Sequence, residues 1–283
     1  MLLSIPPPPT IIELYRTWSE KIPHSKWLHH TAYLRLAIPS IIPHIDKILW
    51  LDCDMVVRKS LKEIFDTNID HHLALVCQDN IFSYRIKHPH KYKPNGLDFL
   101  QWLDSVGLDS SVNYFCSGFL YINAKLWREQ NLHQAFEEYV ARYFTTITYG
   151  DQDILNFVLR DKLKYVNKMW NFIPCIDSDY YPTIPPLEEI NILHYAASKP
   201  LNPLCTDKFY INEFWKYFFM TPYFIENPAP YIDIIIAQKT NAHNQRIKKL
   251  AKNLTCWIPI AKWRRGCREK LLMQKDILYA LDS

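Results

Sequence analysis

Two acids one residue apart, Asp52 and Asp54, close the apolar run of ILWLDCDMVV, residues 48–57. The run reads as a buried strand. Side chains at i and i+2 of a strand point the same way, so both carboxylates can converge at its carboxyl end. Open α/β sheets bind ligands at such ends. A carboxylate pair there suits a hard divalent cation, and such a cation commonly holds a diphosphate. An acidic turn that ends a strand is the plainer reading of so short a pattern. Other polar residues stand at comparable places. Asp79 ends HLALVCQD, residues 72–79, and His194 and Lys199 lie late in INILHYAASKP, residues 190–200. Asp151 and Gln152 open the apolar part of YGDQDILNFVLRD, residues 149–161, where acids favour a helix N-terminus. Each has an ordinary explanation too: a satisfied strand histidine for His194, an N-cap for Asp151, a solvated lysine for Lys199, a helix arginine for Arg35.

The elements that must position these groups alternate. Residues 10–22 and 29–42 read as helices, the second carrying Arg35, and the strand to Asp54 follows. Residues 60–65 read as a short helix, with Ser60 as N-cap and Glu63 completing a capping box. Residues 72–79 form a second strand, and residues 80–112, polar, aromatic and irregular, a long loop or lid. Residues 113–123 predict a buried strand, 124–144 an amphipathic helix, 149–161 a helix, and 164–172 and 190–200 two further strands. Strands alternating with helices, several ending in a polar residue, imply an α/β sheet.

Composition narrows the chemistry. With 283 residues the chain suits one large domain, or one domain with an extension. Hydrophobic content of 48% and charged content of 22% are those of a globular protein. A net charge of +4 does not imply nucleic acid. Only 5 glycines occur, where average usage of about 7% gives roughly 20. They spell neither G-x-G nor GxxxxGK[ST], which excludes a dinucleotide fingerprint and a P-loop. Any nucleotide phosphate must be held by a metal and side chains. The 7 cysteines are scattered and form no C-x-x-C, as in a reducing compartment without structural zinc. No apolar run reaches the ~18 residues of a membrane span. The opening MLLSIPPPP has no basic n-region, so a cytosolic protein is expected. From about residue 238 to 283 the chain turns basic, with Trp257, Ile258, Ile260 and Trp263 interleaved. This composition predicts an interfacial amphipathic tail: Lys and Arg attract anionic lipid while Trp sits at the headgroups. A solvated helix packed on the domain is the alternative.

Four blocks in order resemble glycosyltransferase family eight, which includes lipopolysaccharide galactosyl- and glucosyltransferases and glycogenin. The family's Arg-containing helix followed by D-K-hydrophobic-L-Y-L-D-x-D is matched by YLRLAIPSIIPHIDKILWLDCDMVV. Its YFNSGVLLIN, DQDILN and HFTGPKPWNP are matched by YFCSGFLYIN, DQDILN and LHYAASKPLNP, and the likeness spans about residues 29–203. The resemblance implies a GT-A fold over residues 1–237, a Rossmann-like mixed sheet flanked by helices, with the basic extension at 238–283. It implies a retaining transfer of glucose or galactose from a UDP-sugar to lipopolysaccharide core, at the inner face of the bacterial cytoplasmic membrane. Asp52, Asp54 and His194 would ligate Mn2+, with Mg2+ as the substitute; carboxylates plus an imidazole favour Mn2+. Lys199 would add a point charge on the phosphates. Arg35, Cys53, Asp79, Cys116, Ser117 and Ala197 fall at donor-contact positions. Asp151 and Gln152 fall beside the anomeric carbon, where Gln152, a poor nucleophile, would orient sugar and acceptor.

Departures from the pattern carry expectations of their own. Cys116 stands where the family has Asn, and a thiol lacks the amide's donors and acceptor. Ala197 replaces a Gly that approaches phosphate, and Leu201 replaces the Trp of the KPW block. Family members begin with a strand and an A-x-D-x-N-Y loop for uridine, to which nothing in residues 1–28 corresponds. A strand-helix-strand unit of roughly 30 residues is therefore expected to be missing. That motivates a second reading, a non-catalytic remnant. A third is a haloacid-dehalogenase-like phosphatase, since D-C-D-M-V also satisfies D-x-D-x-[TV], with Asp52 as nucleophile and Asp54 as acid.

Overall fold

Proline and burial organise the start of the chain. The computed structural model describes residues 6–24, 28–174, 185–196, 199–205 and 210–273, and the chain forms two compact units, Met1–His194 and Tyr195–Ser283. Helix α1, Pro9–Lys21, places Pro in its first turn, where the missing N–H costs nothing, and buries Tyr15 and Trp18. A 3-10 turn, His30–Tyr33, leads into α2, Leu34–Ile41, which buries Arg35 beside Leu36 and Ala37. Strands β1, Lys47–Leu51, and β2, Met55–Val57, follow, then α3, Lys62–Asp66, β3, Ala74–Gln78, α4, Asn80–Lys87, and α5, Phe99–Ser105. Next come β4, Phe115–Asn123, helices α6, Ala124–Glu129, α7, Leu132–Tyr143, and α8, Asp151–Leu159, and strands β5, Leu163–Val166, and β6, Ile192–His194.

The main sheet has the order β1-β4-β3-β5. β4 runs antiparallel to β1 and β3, and β5 runs parallel to β3. The carboxyl ends of β1, β3 and β5 therefore lie at the edge where β4 begins. All of β4 is buried, which explains the apolar run over residues 119–122 within it. Its alternate residues feed two cores. Leu120 and Ile122 join Leu36, Phe136 and Leu155 on one face, while Phe119 and Tyr121 join Ile64, Leu75 and Trp170 on the other. Each such side chain, fully buried, contributes about 1.5–3 kcal/mol. β2 and β6 make a separate antiparallel ribbon with Met55 opposite His194.

Several expectations are corrected. Residues 80–112 hold two helices rather than an irregular lid. Asp79 caps α4, Asp98 caps α5 in a capping box with Gln101, and Phe82, Phe99 and Trp102 form a core with Tyr114. The capping box at Ser60 does not form. α3 begins at Lys62 behind Leu61, and Ser60 Oγ only accepts from Lys62 N–H at 3.3 Å. The helix expected over 124–144 breaks into α6 and α7 at Asn131, whose φ is 49°. The strand over 164–172 stops at Val166, because Asn167 caps a 3-10 turn, Lys168–Asn171. The last strand contracts to Ile192–His194.

The C-terminal unit is helical. It contains α9, Ile211–Phe218, α10, Pro222–Glu226, α11, Ala229–Thr255, and α12, Ala261–Met273. Ile247, Leu250 and Ala251 of α11 pack on Leu271 and Leu272 of α12. The change of composition near residue 238 falls inside α11. No described helix is long and apolar enough to cross a membrane.

Candidate active site

Strand pairing brings the three expected metal ligands together. Asp52 follows β1, and its N–H donates to Gly118 O on β4 at 3.0 Å. Asp54 precedes β2, whose pairing with β6 lays His194 alongside. His194 Nε2 stands 3.3 Å from Asp54 Oδ1 and 3.8 Å from Asp52 Oδ2. One ligand atom from each of the three residues lies within 4.8 Å of the others. The imidazole is 2% exposed, and its Nδ1 meets Asn171 Oδ1 at 2.9 Å. An acceptor there assigns the proton to Nδ1 and leaves Nε2 facing the carboxylates, the arrangement by which ligating histidines are held. Burial lowers the imidazole pKa, but the bond to Asp54 and the neighbouring Cys116 outweigh it and push it up to about 10. The carboxylates thus hold a positive charge at the place where a cation would sit. Two carboxylates and an oriented imidazole fit a borderline divalent ion such as Mn2+.

Arg35 fastens this cluster to the rest of the sheet edge. Its Nη2 donates to Asp52 Oδ1 at 2.8 Å, its Nη1 to Ser117 O at 2.5 Å, and its Nε to Ala32 O at 3.1 Å. Nε also stands 3.2 Å from Asp151 Oδ2 as an ion pair. The guanidinium lies over the Trp50 ring, 4.9 Å from its centroid, and Trp50 Nε1 donates to Asp52 Oδ1 at 3.0 Å. A planar guanidinium spreads its donors over three nitrogens and so spans all four partners at once, a reach that the single nitrogen of an ammonium lacks. Arg35 is 5% exposed, so these charges are largely out of water.

Asp151 and Gln152 join the same constellation from the first turn of α8. Burial raises the Asp151 carboxyl pKa, Arg35 opposes that rise, and Asp52 adds to it. Gln152 Oε1 accepts Ser117 N–H at 3.0 Å. Cys116 Sγ lies 3.8 Å from His194 Nδ1. Arg35, Asp52, Asp54, Cys116, Ser117, Asp151, Gln152 and His194 therefore form one connected group. Asp79 sits at the end of β3, where its Oδ1 accepts Ile81 and Phe82 N–H at 2.9 and 3.1 Å and so caps α4. Burial raises its pKa, while those amides, Arg85 and His194 pull it back. Cys53 is exposed between the two acids. Lys199 belongs to the C-terminal unit, and Ala197 lies outside the described residues.

Five supporting residues are not among those singled out from sequence. Asn171 orients His194, and Trp50 braces Asp52. Gly118 makes room: a Cβ there would stand 2.4 Å from His194 Cε1. Asn156 clamps β4 to α8, accepting Phe115 N–H at 2.8 Å and donating to Phe115 O at 2.9 Å. Asp153 accepts the Thr148 and Tyr149 amides, each at 2.8 Å, and the Tyr114 hydroxyl at 2.5 Å. Burial lifts its pKa to about 6 against those bonds. A strand-interior glycine and the acid and amide inside DQDILN are readable signals. Asn171 carries none, since nothing in its surroundings marks it as a partner of His194.

Residues 8–202 match the family model described as Glycosyl transferase family 8. The chain is 28% identical over 156 residues to lipopolysaccharide 1,3-galactosyltransferase of Salmonella typhimurium, covering 54% of this chain and 42% of that protein. It is 26% identical over 261 residues to lipopolysaccharide 1,2-glucosyltransferase of Escherichia coli, covering 85% and 69%. The solved structure of the galactosyltransferase LgtC with donor and acceptor sugar analogues is similar at a TM-score of 0.56 and 26% identity, over 71% of each chain. The likeness agrees with a GT-A-type mixed sheet. The chain spans about two fifths of the length of several curated relatives it matches, 39%, 43% and 42% for three of them.

Proposed function

Because the chain belongs to glycosyl transferase family 8, we propose that it moves glucose or galactose from a UDP-sugar to a lipopolysaccharide core acceptor, with retention and with Mn2+ as cofactor. The observation that carries the reading is the convergence of Asp52, Asp54 and His194 within 4.8 Å at the sheet edge. The named activities of the lipopolysaccharide transferase relatives support the substrate class.

Asp52, Asp54 and neutral His194 would hold the cation, which when bound supplies Lewis-acid neutralisation of the departing diphosphate. Mg2+ is the substitute, less suited to the imidazole. Arg35 holds Asp52 in place through its 2.8 Å bond, and its reach to Asp151 ties the metal side of the site to α8. Gln152, fixed through Ser117 N–H, orients the sugar for attack from the face the leaving group occupies. Asp151, dry and paired, contributes a fixed negative field beside the anomeric carbon. Asp79 and Cys53 border the donor, and Cys116 stands at a sugar-contact position without the donors and acceptor of an amide.

The protein would work at the inner face of the cytoplasmic membrane, held by its basic C-terminal segment. Trp257 and Trp263 are 76% and 66% exposed, beside Lys262, Arg264 and Arg265. That combination suits an anionic interface. Family membership speaks against the phosphatase alternative.

Calorimetric titration of UDP, with and without Mn2+, into this chain and into Asp54→Asn tests the reading. The expected result is Mn2+-dependent binding that the substitution abolishes, followed by UDP release from UDP-glucose or UDP-galactose. Folded protein that binds no UDP under any condition would favour the non-catalytic reading.

A further inference from the structure

The C-terminal unit contains a second constellation, built by two helices lying side by side. Phe218, at the end of α9, meets Tyr231, near the start of α11, with ring centroids 4.8 Å apart. Trp215 Nε1, earlier in α9, donates to Gln238 Oε1, later in α11, at 3.3 Å. The helices therefore run in opposite directions. Between them opens a cavity of about 680 Å³, within the roughly 300–1,000 Å³ range of small-molecule sites.

Its lining interleaves basic and apolar side chains. Ile235, Lys239, Ala242 and Arg246 follow one another at i, i+4, i+7 and i+11, so they form one stripe of α11. Along the stripe apolar Ile235 and Ala242 alternate with basic Lys239 and Arg246, and His243 lies next to Ala242 and one turn before Arg246. α9 supplies Trp215 and Phe219 as an apolar wall and Lys216 beside them. Lys216 stands 3.8 Å from Glu213, and Lys239 and Arg246 add two further basic side chains to the lining. Gln238 is structural: its Nε2 donates to Pro200 O at 2.5 Å and Asn202 O at 2.8 Å. Those bonds fix the wall and set the cavity's shape.

The apolar lining does not stop at the cavity. Phe219, Met220, Ile232 and Ile236 continue it onto the surface at 42%, 63%, 44% and 58% exposure. An exposed apolar run of this kind marks a binding surface. A free phosphate would use only the basic side chains, and a hydrocarbon only the apolar ones. A ligand that satisfies both carries an anionic head and an apolar body.

We propose that this cavity binds a phosphate-bearing amphiphile. The phosphoryl group sits among Lys216, Lys239, His243 and Arg246, and the hydrocarbon lies along Trp215 and Phe219 toward the exposed isoleucines. The site stands on its own lining and does not depend on the transferase reading. A glycerophospholipid and an acylated phosphosugar share this chemistry.

The test is calorimetry on the full chain with dihexanoyl phosphatidic acid below its micelle concentration. The expected result is saturable binding at one site, with glycerol 3-phosphate at least about tenfold weaker because it buries no hydrocarbon. Lys216→Gln combined with Lys239→Gln is expected to weaken binding by about tenfold in protein that still melts cooperatively, since both lysines are exposed and the 3.8 Å Lys216–Glu213 contact is a weak one. Trp257→Ala combined with Trp263→Ala should leave it unchanged. Competition with a short-chain acylated glucosamine phosphate then separates the two sources by which displaces the other. Equal affinity for glycerol 3-phosphate, no saturable binding, an unaffected lysine double variant, or loss in the tryptophan variant would each overturn the proposal.

Discussion

Gly118 lies directly against His194: a Cβ built on the glycine would stand 2.4 Å from the ring's Cε1 and 2.9 Å from Asp52 Oδ2. Neither neighbour can give way cheaply. The ring is anchored to Asn171, and the carboxylate to Arg35 and Trp50. Gly118→Ala should therefore displace a metal ligand before it disturbs the sheet. The expected outcome is Mn2+ affinity lower by about 10–100-fold, with a stability loss of about 1–3 kcal/mol from overpacking. Calorimetry and thermal melts measure the two separately, and unchanged Mn2+ affinity would rule out the arrangement described.

Asn171 acts through His194. Its Oδ1 receives the Nδ1 proton at 2.9 Å, while its buried Nδ2 makes no hydrogen bond among the described residues. Asn171→Ala removes the acceptor and frees the ring, so Mn2+ affinity should fall by about 10–100-fold. Asn171→Asp keeps an acceptor and replaces the unbonded N–H2 with oxygen, so binding should survive. If both variants bind Mn2+ alike, the asparagine does not orient the ring.

Proton linkage gives the third expectation. Without metal, folded His194 keeps its proton up to about pH 10, against 6.5 for an unperturbed imidazole. A pKa raised by folding adds stability that is full below 6.5 and lost as pH climbs through the folded value. The metal-free chain should thus lose stability across that window. Mn2+ must displace the same proton, so its affinity should rise with pH. Titration at pH ~7.5 in two buffers of different ionisation enthalpy should report release of about one proton, absent in His194→Gln. Metal binding with no proton released would mean that the ring is neutral at that pH.

The parts of this site that are legible in the sequence are those with local signals. Asp52, Asp54 and the strand before them form one contiguous pattern, and β4 carries the unbroken apolar run over residues 119–122 because both its faces are buried. What escapes is long-range or very short. β2 is three residues long, and its partner β6 lies at the far end of the unit, so nothing near Met55 announces the pairing that delivers His194. The helices of residues 80–112 are a different failure. Their caps, Asp79 and Asp98, stand in the sequence, but aromatic residues there read as loop composition although they form a core around Tyr114. At Ser60 the reverse holds: the capping signature is present, but α3 starts two residues later.

Membrane attachment through the tail is open to a clean separation. The change of composition near residue 238 falls inside α11, so removing the basic tail from there would cut a 27-residue helix. Substituting Trp257 and Trp263 by Ala keeps the helices and removes the exposed rings. Binding to liposomes containing anionic lipid should drop by about tenfold or more, while UDP-sugar hydrolysis stays unchanged. Undiminished liposome binding would remove the tail from the attachment mechanism.

Arg35 offers the most direct link between the metal ligands and the reacting end of the sugar. It reaches Asp52 at 2.8 Å, Ser117 O at 2.5 Å and Asp151 at 3.2 Å with one rigid fork. Lysine can reach only part of that set, so Arg35→Lys strands a buried carboxylate; breaking such a pair costs about 3–5 kcal/mol when the partner is lost entirely. The consequence for Asp151 has a definite sign. Burial already raises its pKa and Arg35 restrains the rise, so weakening that contact lets it climb further. If turnover needs ionised Asp151, the acidic limb of the pH–rate profile for UDP release must move to higher pH in Arg35→Lys. Asp151→Asn, which has no carboxyl to titrate, should lose that limb and most of its rate. An acidic limb that stays put in Arg35→Lys would mean that Asp151 does not act as a carboxylate in the reaction, and Arg35 would then serve the metal ligands alone.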